Sequence, residues 1–224
     1  MGSVAITIVW CSAMAAMPAM AMPGGWTMTM MWMRMPGQTW LEGAASFLGM
    51  WMVMMTAMML PSVVPALWRC HESVRRTAHA RPGRLTTLAG AGYFSVWLVA
   101  GAMLYPIGIT LGELAMRQPE LSRTVPIVIG VVVAVGVTLQ FTPWKRRQLA
   151  CWRAVDRICL EPAMAGAAWR AGLRLGWDCV RCSGNLMAIL LVLGVMDLGV
   201  MTAVTAVITV ERWVPRALVP GPRP

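Results

Sequence analysis

Four stretches of this chain, residues 44–66, 88–112, 124–142 and 185–210, are apolar and, apart from Asp197 in the last, free of charge. A run of about 20 such residues is what a helix needs to cross the hydrocarbon of a bilayer. In lipid every backbone N–H and C=O must be satisfied within the segment, which leaves the helix as the available form for runs of this length. A water-soluble fold has no place for them, since 58% of the 224 residues are hydrophobic and only 12% are charged, about half the usual charged share. A fifth run, residues 4–22, is weaker; no Lys or Arg precedes it, so it reads as a retained first helix and not as a secretory signal. The expected architecture is all-α: a polytopic transmembrane helix bundle of about five spans, forming a single domain over the chain. No repeat at 20 to 50 residues divides it.

The net charge of +10 then speaks of topology, and nucleic acid is not an expected partner. Thirteen of the 19 Lys and Arg fall between the second and third runs (Arg69, Arg75, Arg76, Arg81, Arg84) or between the fourth and fifth (Lys145, Arg146, Arg147, Arg153, Arg157, Arg170, Arg174, Arg181). The other six are Arg34, Arg117, Arg123, Arg212, Arg216 and Arg223. The positive-inside bias places the richer set, and with it the amino terminus, in the cytoplasm. A multi-pass protein of the bacterial inner membrane is the expectation, with the bilayer itself as first partner.

That topology sorts the cysteines. Cys70, Cys151, Cys159, Cys179 and Cys182 fall at the cytoplasmic face and Cys11 within the first run, where a reducing compartment predicts free thiols. Cys179 and Cys182 form C-V-R-C ahead of the last run. A thiolate there, favoured by helix dipoles and by Arg174 and Arg181, suits a soft metal. A closed zinc site needs a second ligand pair at matching spacing, and none is present. Two interfacial cysteines filling small gaps is the competing reading.

Methionine is the more unusual signal, with 22 residues, 16 of them before residue 60. One group, Met28, Met30, Met31, Met33 and Met35, lies with Trp26 and Trp32 in the extracytoplasmic segment after the first run. The other lines the second run, where Met50, Met54 and Met58 fall four residues apart and Met55 and Met59 form the adjacent row. Thioethers are soft ligands suited to Cu(I) and need no deprotonation. The same stripe also serves as adaptable packing between helices. Pro61 leaves the Ala57 carbonyl without its helical donor beside these side chains.

In the last run Asp197 sits near the middle, where an ionisable group is costly and should face the bundle interior or a wet cavity. Gln140, Thr138, Tyr93 and Tyr105 are its possible partners, and Met187 and Met201 share roughly its face. Polar glue between helices is the alternative reading. Gly172 and Gly176, like Gly108 and Gly112, are spaced for close helix contact. Glu211 reads as an ordinary interfacial carboxylate at the outer end of this run. The two histidines, His71 and His79, share one loop, so an oxygen-activating copper centre is not expected. Neither a hydrolase triad nor a phosphate-cradling glycine loop is present.

The segments M-M-T-A-M-M-L-P-S at residues 54–62, Y-F-S-V-W-L at 93–98, L-Q-F-T-P-W-K at 139–145, C-V-R-C-S-G-N-L-M at 179–187, G-V-M-D-L-G-V-M at 194–201 and V-E-R-W at 210–213 together resemble the bacterial domain-of-unknown-function family 2182. Its members are described as predicted metal-binding integral membrane proteins, and the resemblance spans roughly residues 44–214. It carries over Met54, Met58, Met59, Pro61, Lys145, Cys179, Cys182, Met187, Met196, Met201 and Glu211. Members usually have cysteine where Gln148, Trp152 and Ser183 stand, and commonly Asn where Asp197 stands.

The expected ligands are therefore Met54, Met58, Met59, Cys179, Cys182, Met187, Asp197 and Met201, with Met28, Met30, Met31, Met33 and Met35 as an outer group. Copper, or another soft metal, is the expected ion. The expected role is metal handling or delivery to a membrane enzyme, without a catalytic constellation of the chain's own. The alternative is an accessory subunit of a larger membrane complex, such as a copper-dependent oxidase or monooxygenase.

Overall fold

A computed structural model describes residues 20–21, 27–28, 39–77, 82–153, 164–194 and 197–213. Within them the chain is helical apart from one pair of two-residue strands, β1 (Met20–Ala21) and β2 (Thr27–Met28), antiparallel with Met20 opposite Met28. The end of the expected first span thus pairs as strand, and the rest of that span lies outside the described residues. The helices are α1 (Trp40–Thr77), α2 (Pro82–Arg117), α3 (Pro119–Gln140), α4 (Pro143–Arg153), α5 (Ala165–Leu193) and α6 (Leu198–Trp213).

Local sequence sets the ends of these helices. Thr39 and Glu42 form a capping box at the start of α1: the Glu42 N–H donates to Thr39 Oγ1 at 3.3 Å and the Thr39 N–H to Glu42 Oε2 at 3.0 Å. This satisfies two donors that the first turn leaves over. The helices α2, α3 and α4 each begin on proline, whose fixed φ suits a first turn and whose missing N–H costs nothing there.

Four of the helices are long and apolar enough to cross a membrane: Trp40–Glu72, Gly83–Arg117, Arg123–Gln140 and Ala165–Leu193. The side chains they leave exposed match a hydrocarbon surround. Along α3, Ile127, Val128, Val131, Val135, Val137 and Leu139 all face outward, an arrangement that water would penalise. These helices mark the protein as membrane-associated.

The run 185–210 is not one helix. It breaks at Gly194, the single described residue with positive φ, at +129°, a conformation that glycine adopts without steric cost. The chain then reverses. Leu193 lies fourteen residues beyond Cys179 and Arg212 fourteen beyond Leu198, about 21 Å of helix in each arm, and Arg212 comes back into contact with Cys179. The helices α5 and α6 therefore form a hairpin whose open end holds both residues.

Packing centres on α5. Its most extensive partner is α2, followed among its neighbours by α3 and α4. Close approach of α2 and α5 depends on glycine: a Cβ on Gly92 would come within 2.6 Å of the Trp169 carbonyl oxygen, and one on Gly172 would strike the Ala89 backbone. The sequence pair Gly172 and Gly176 thus serves as a helix contact, as small residues do inside membranes. The helix α1 is tied to α2 where Trp51 Nε1 donates to the Trp97 carbonyl at 2.9 Å. The core of the bundle runs along the α1 methionine face and meets α2, α5 and α6 there.

Candidate metal centre

Met54, Met55, Met58 and Met59 are all buried on one face of α1, as their two-row spacing requires. At the lower end of that face Met59 meets Cys179 of α5, with Sγ to Sδ at 3.9 Å. Both side chains are fully buried at 0% exposure. Thiol and thioether from two helices thus face each other in a dry interior.

Cys179 has a dense polar surround. Tyr93 Oη from α2 lies 3.0 Å from its sulfur, and Arg212 Nη2 from α6 donates to the same atom at 3.0 Å. Ser183 Oγ, one turn along α5, is at 3.9 Å. The guanidinium is fixed from two further directions: Nη1 donates to Ser62 Oγ at 2.7 Å, and the plane lies 4.0 Å over the ring of Trp152. Such stacking suits a guanidinium better than an ammonium. Ser62 in turn donates to the Met59 carbonyl at 2.9 Å, in the stretch where Pro61 interrupts the helical ladder.

Cys182, also buried and free, follows three residues later and so lies on the same side of α5. Its carbonyl accepts from Lys145 Nζ at 2.6 Å. Lys145, 2% exposed, pairs with Glu211 Oε2 at 3.1 Å. Gln140 donates to the other oxygen of Glu211 and accepts from Asn185 Nδ2. This network joins the end of α3, the start of α4, the middle of α5 and the end of α6. Sequence spacing did not bring Tyr93, Arg212 or Lys145 to the sulfurs. The nearest signal was the combined resemblance of Y-F-S-V-W-L, L-Q-F-T-P-W-K and V-E-R-W, which, with M-M-T-A-M-M-L-P-S, turn out to surround C-V-R-C.

Several expectations change. Asp197 does not face the bundle interior: it is exposed, and its Oδ1 accepts from the N–H groups of Gly199 at 2.7 Å and Val200 at 3.0 Å. It caps α6, which the uninterrupted-helix reading of 185–210 could not allow for. Its expected partners are engaged elsewhere, Tyr93 with Cys179 and Gln140 with Glu211 and Asn185. Glu211 and Arg212, expected on the opposite face from Lys145 and Cys179, are in contact with them because of the α5–α6 reversal. Cys70 is disulfide-bonded, against the expectation of free thiols, so assignment of that face to a reducing compartment loses its support from cysteine chemistry.

Met187 and Met201 are buried in the same core. Met196 and the outer group Met30, Met31, Met33 and Met35 lie outside the described residues, and of Met28 only the strand backbone is described. Among the described residues no three His, Cys, Asp or Glu side chains gather to hold a metal ion. The sulfur of Met59 is what complements Cys179. The positions where the resembled family has cysteine, Gln148, Trp152 and Ser183, are all buried, and two of them line this centre.

Fold and site together define a membrane-type helical protein whose interior holds soft sulfur donors beside fixed positive charge. The chain belongs to the PpoB2 copper chaperone family, which matches it over residues 48–219. The match covers every residue of the centre described above and supports a copper-related family, although not under the number of the resembled one. No curated protein and no solved structure matches the chain.

Proposed function

We propose that this protein is a membrane-embedded copper chaperone that holds Cu(I) at Cys179 and Met59, with Cys182 and Met58 completing a sulfur-rich exchange site, and passes the ion to a membrane enzyme. The observation that carries the reading is the fully buried Cys179–Met59 sulfur pair at 3.9 Å. Thiolate and thioether are soft donors that suit Cu(I), whereas zinc is ordinarily held by Cys, His and carboxylates. A low-coordinate sulfur site also suits cargo, because an incoming ligand from the recipient can join before an outgoing one leaves. Met54 and Met58 extend the donor set deeper along α1, and Met187 and Met201 add thioethers on the α5–α6 side. The bilayer and the recipient enzyme are the partners that this reading requires.

The test is Cu(I) loading of the detergent-purified protein under reducing conditions, followed by elemental analysis and chelator competition. Cys179→Ser and Met59→Leu should each weaken retention by at least roughly tenfold, about 1.4 kcal/mol. Met103→Leu, at an outward-facing methionine, should match the unsubstituted chain. Equal copper in all four proteins, each still folded, would favour an accessory structural role and overturn the site.

A further inference from the structure

The charges around the centre lead one step beyond copper binding. Lys145 and Glu211 form their own pair at 3.1 Å and cancel. The remaining fixed charge in contact with the sulfurs, among the described residues, is Arg212, which reaches Cys179, and Cys182 is buried one turn along the same side of α5. Its Nη2 donates to Cys179 at 3.0 Å and its Nη1 to Ser62. Among the described residues its buried Nε has no acceptor. Nε and Nη2 lie along one edge of the guanidinium, the edge that takes two anionic acceptors side by side. One place on that edge is filled by the Cys179 sulfur and the other is open among the described residues. A buried donor left without an acceptor is costly.

We infer that Arg212 is the counter-charge of a two-thiolate site, built from Cys179 and Cys182, and that it sets this site to accept a monovalent soft cation and reject a divalent one. Two thiolates, one Cu(I) and one guanidinium sum to zero charge. The same set with a divalent ion leaves one uncompensated positive charge in an apolar interior, where such a charge is expensive. Sulfur lone pairs form the metal bonds, copper remains Cu(I) throughout, and any thiol proton leaves to solvent. The guanidinium does not touch the metal; it is a positioning and selectivity residue. Discrimination here is by charge, beyond what sulfur softness supplies, since Cd(II) is also a soft ion. The inference rests on the proposed copper site.

The test compares Ag(I), a redox-inert stand-in for Cu(I), with Cd(II), by competition on the full-length protein in detergent. The unsubstituted protein should prefer Ag(I), and Arg212→Gln should reduce the Ag(I)/Cd(II) affinity ratio by at least roughly tenfold. Arg212→Lys, which keeps the charge, should retain most of the ratio although it loses the stacking on Trp152. A structural role alone would change both affinities in parallel and leave the ratio fixed, which overturns the inference. Should Arg212→Gln not fold, the unsubstituted protein still decides: equal affinity for Ag(I) and Cd(II) rules out charge selection. Failure of the unsubstituted chain to hold Cu(I) at all would instead remove the chaperone reading. Retained copper with an Arg212-independent ratio removes only this inference.

Discussion

Lys145 is the only lysine of the chain, and at 2% exposure it is among the most deeply buried side chains. Taking its charge out of water is unfavourable unless the partner geometry is good, and Glu211 at 3.1 Å with the Cys182 carbonyl at 2.6 Å provides that. Lys145→Met should lower stability by on the order of 2 kcal/mol, less than the loss of a wholly buried pair because Glu211 is 23% exposed. Adding Glu211→Gln should recover part of the loss, because both charges are then gone. Thermal unfolding in detergent reads both variants, and additive losses in the double variant would show that the pair is uncoupled. Asp197 calls for the opposite treatment. As a cap, Asp197→Ala should cost about 1 kcal/mol, whereas Asp197→Asn, still able to cap, should bind copper like the unsubstituted chain. A drop in copper for Asp197→Asn would restore the ligand role that the exposed position now argues against.

At the scale of elements, the α2–α5 contact has the most specific requirement. A Cβ on Gly172 would meet the Ala89 backbone, which cannot move aside as a flexible side chain would. Gly172→Ala should therefore destabilise by more than about 2 kcal/mol and, by separating Tyr93 from Cys179, weaken copper retention as well. Gly184→Ala on the same helix meets nothing within 4 Å and should be neutral or stabilising by about 0.5 kcal/mol. Similar unfolding temperatures for the two variants would show that the helices are not in close contact. This contact was legible in the sequence, as were the helical class and the methionine rows on one face of α1. The turn at Gly194 was not. Hydropathy integrates over a whole span and does not register one glycine, so Leu193 and Leu198 read as one continuous helix although a reversal separates them. That single omission moved Asp197 into the core and Arg212 to the wrong face. The sulfur centre was half legible: local spacing gives the Met59 and Cys179 faces, but only tertiary contact, across residues 120 positions apart in sequence, brings them together.

For the whole molecule, the decisive question is which ends of the helices share a side. Arg212 beside Cys179, and Glu211 beside Lys145, place the open end of the α5–α6 hairpin level with the junction of α3 and α4. That junction begins the stretch carrying Lys145, Arg146 and Arg147, so the sulfur centre lies toward the arginine-rich end of the bundle and the α1 methionines lead to it from within. Copper would then enter or leave near that end without crossing the full hydrocarbon thickness, which suits handover to a partner more than passage across the membrane. The geometry can be checked through α3, whose apolar span runs from Arg123 to Gln140, about 26 Å of helix, enough to separate the two faces of most of a bilayer core. Cysteines introduced at the exposed positions Arg146 and Arg181 should react with an impermeant maleimide from one side of sealed vesicles, and a cysteine at Arg123 from the other. The reactions are scored above the labelling of the native cysteines. Arg123 and Arg146 labelling from the same side would mean that α3 lies along the membrane, and the sulfur centre would then have no defined depth from which to hand over its ion.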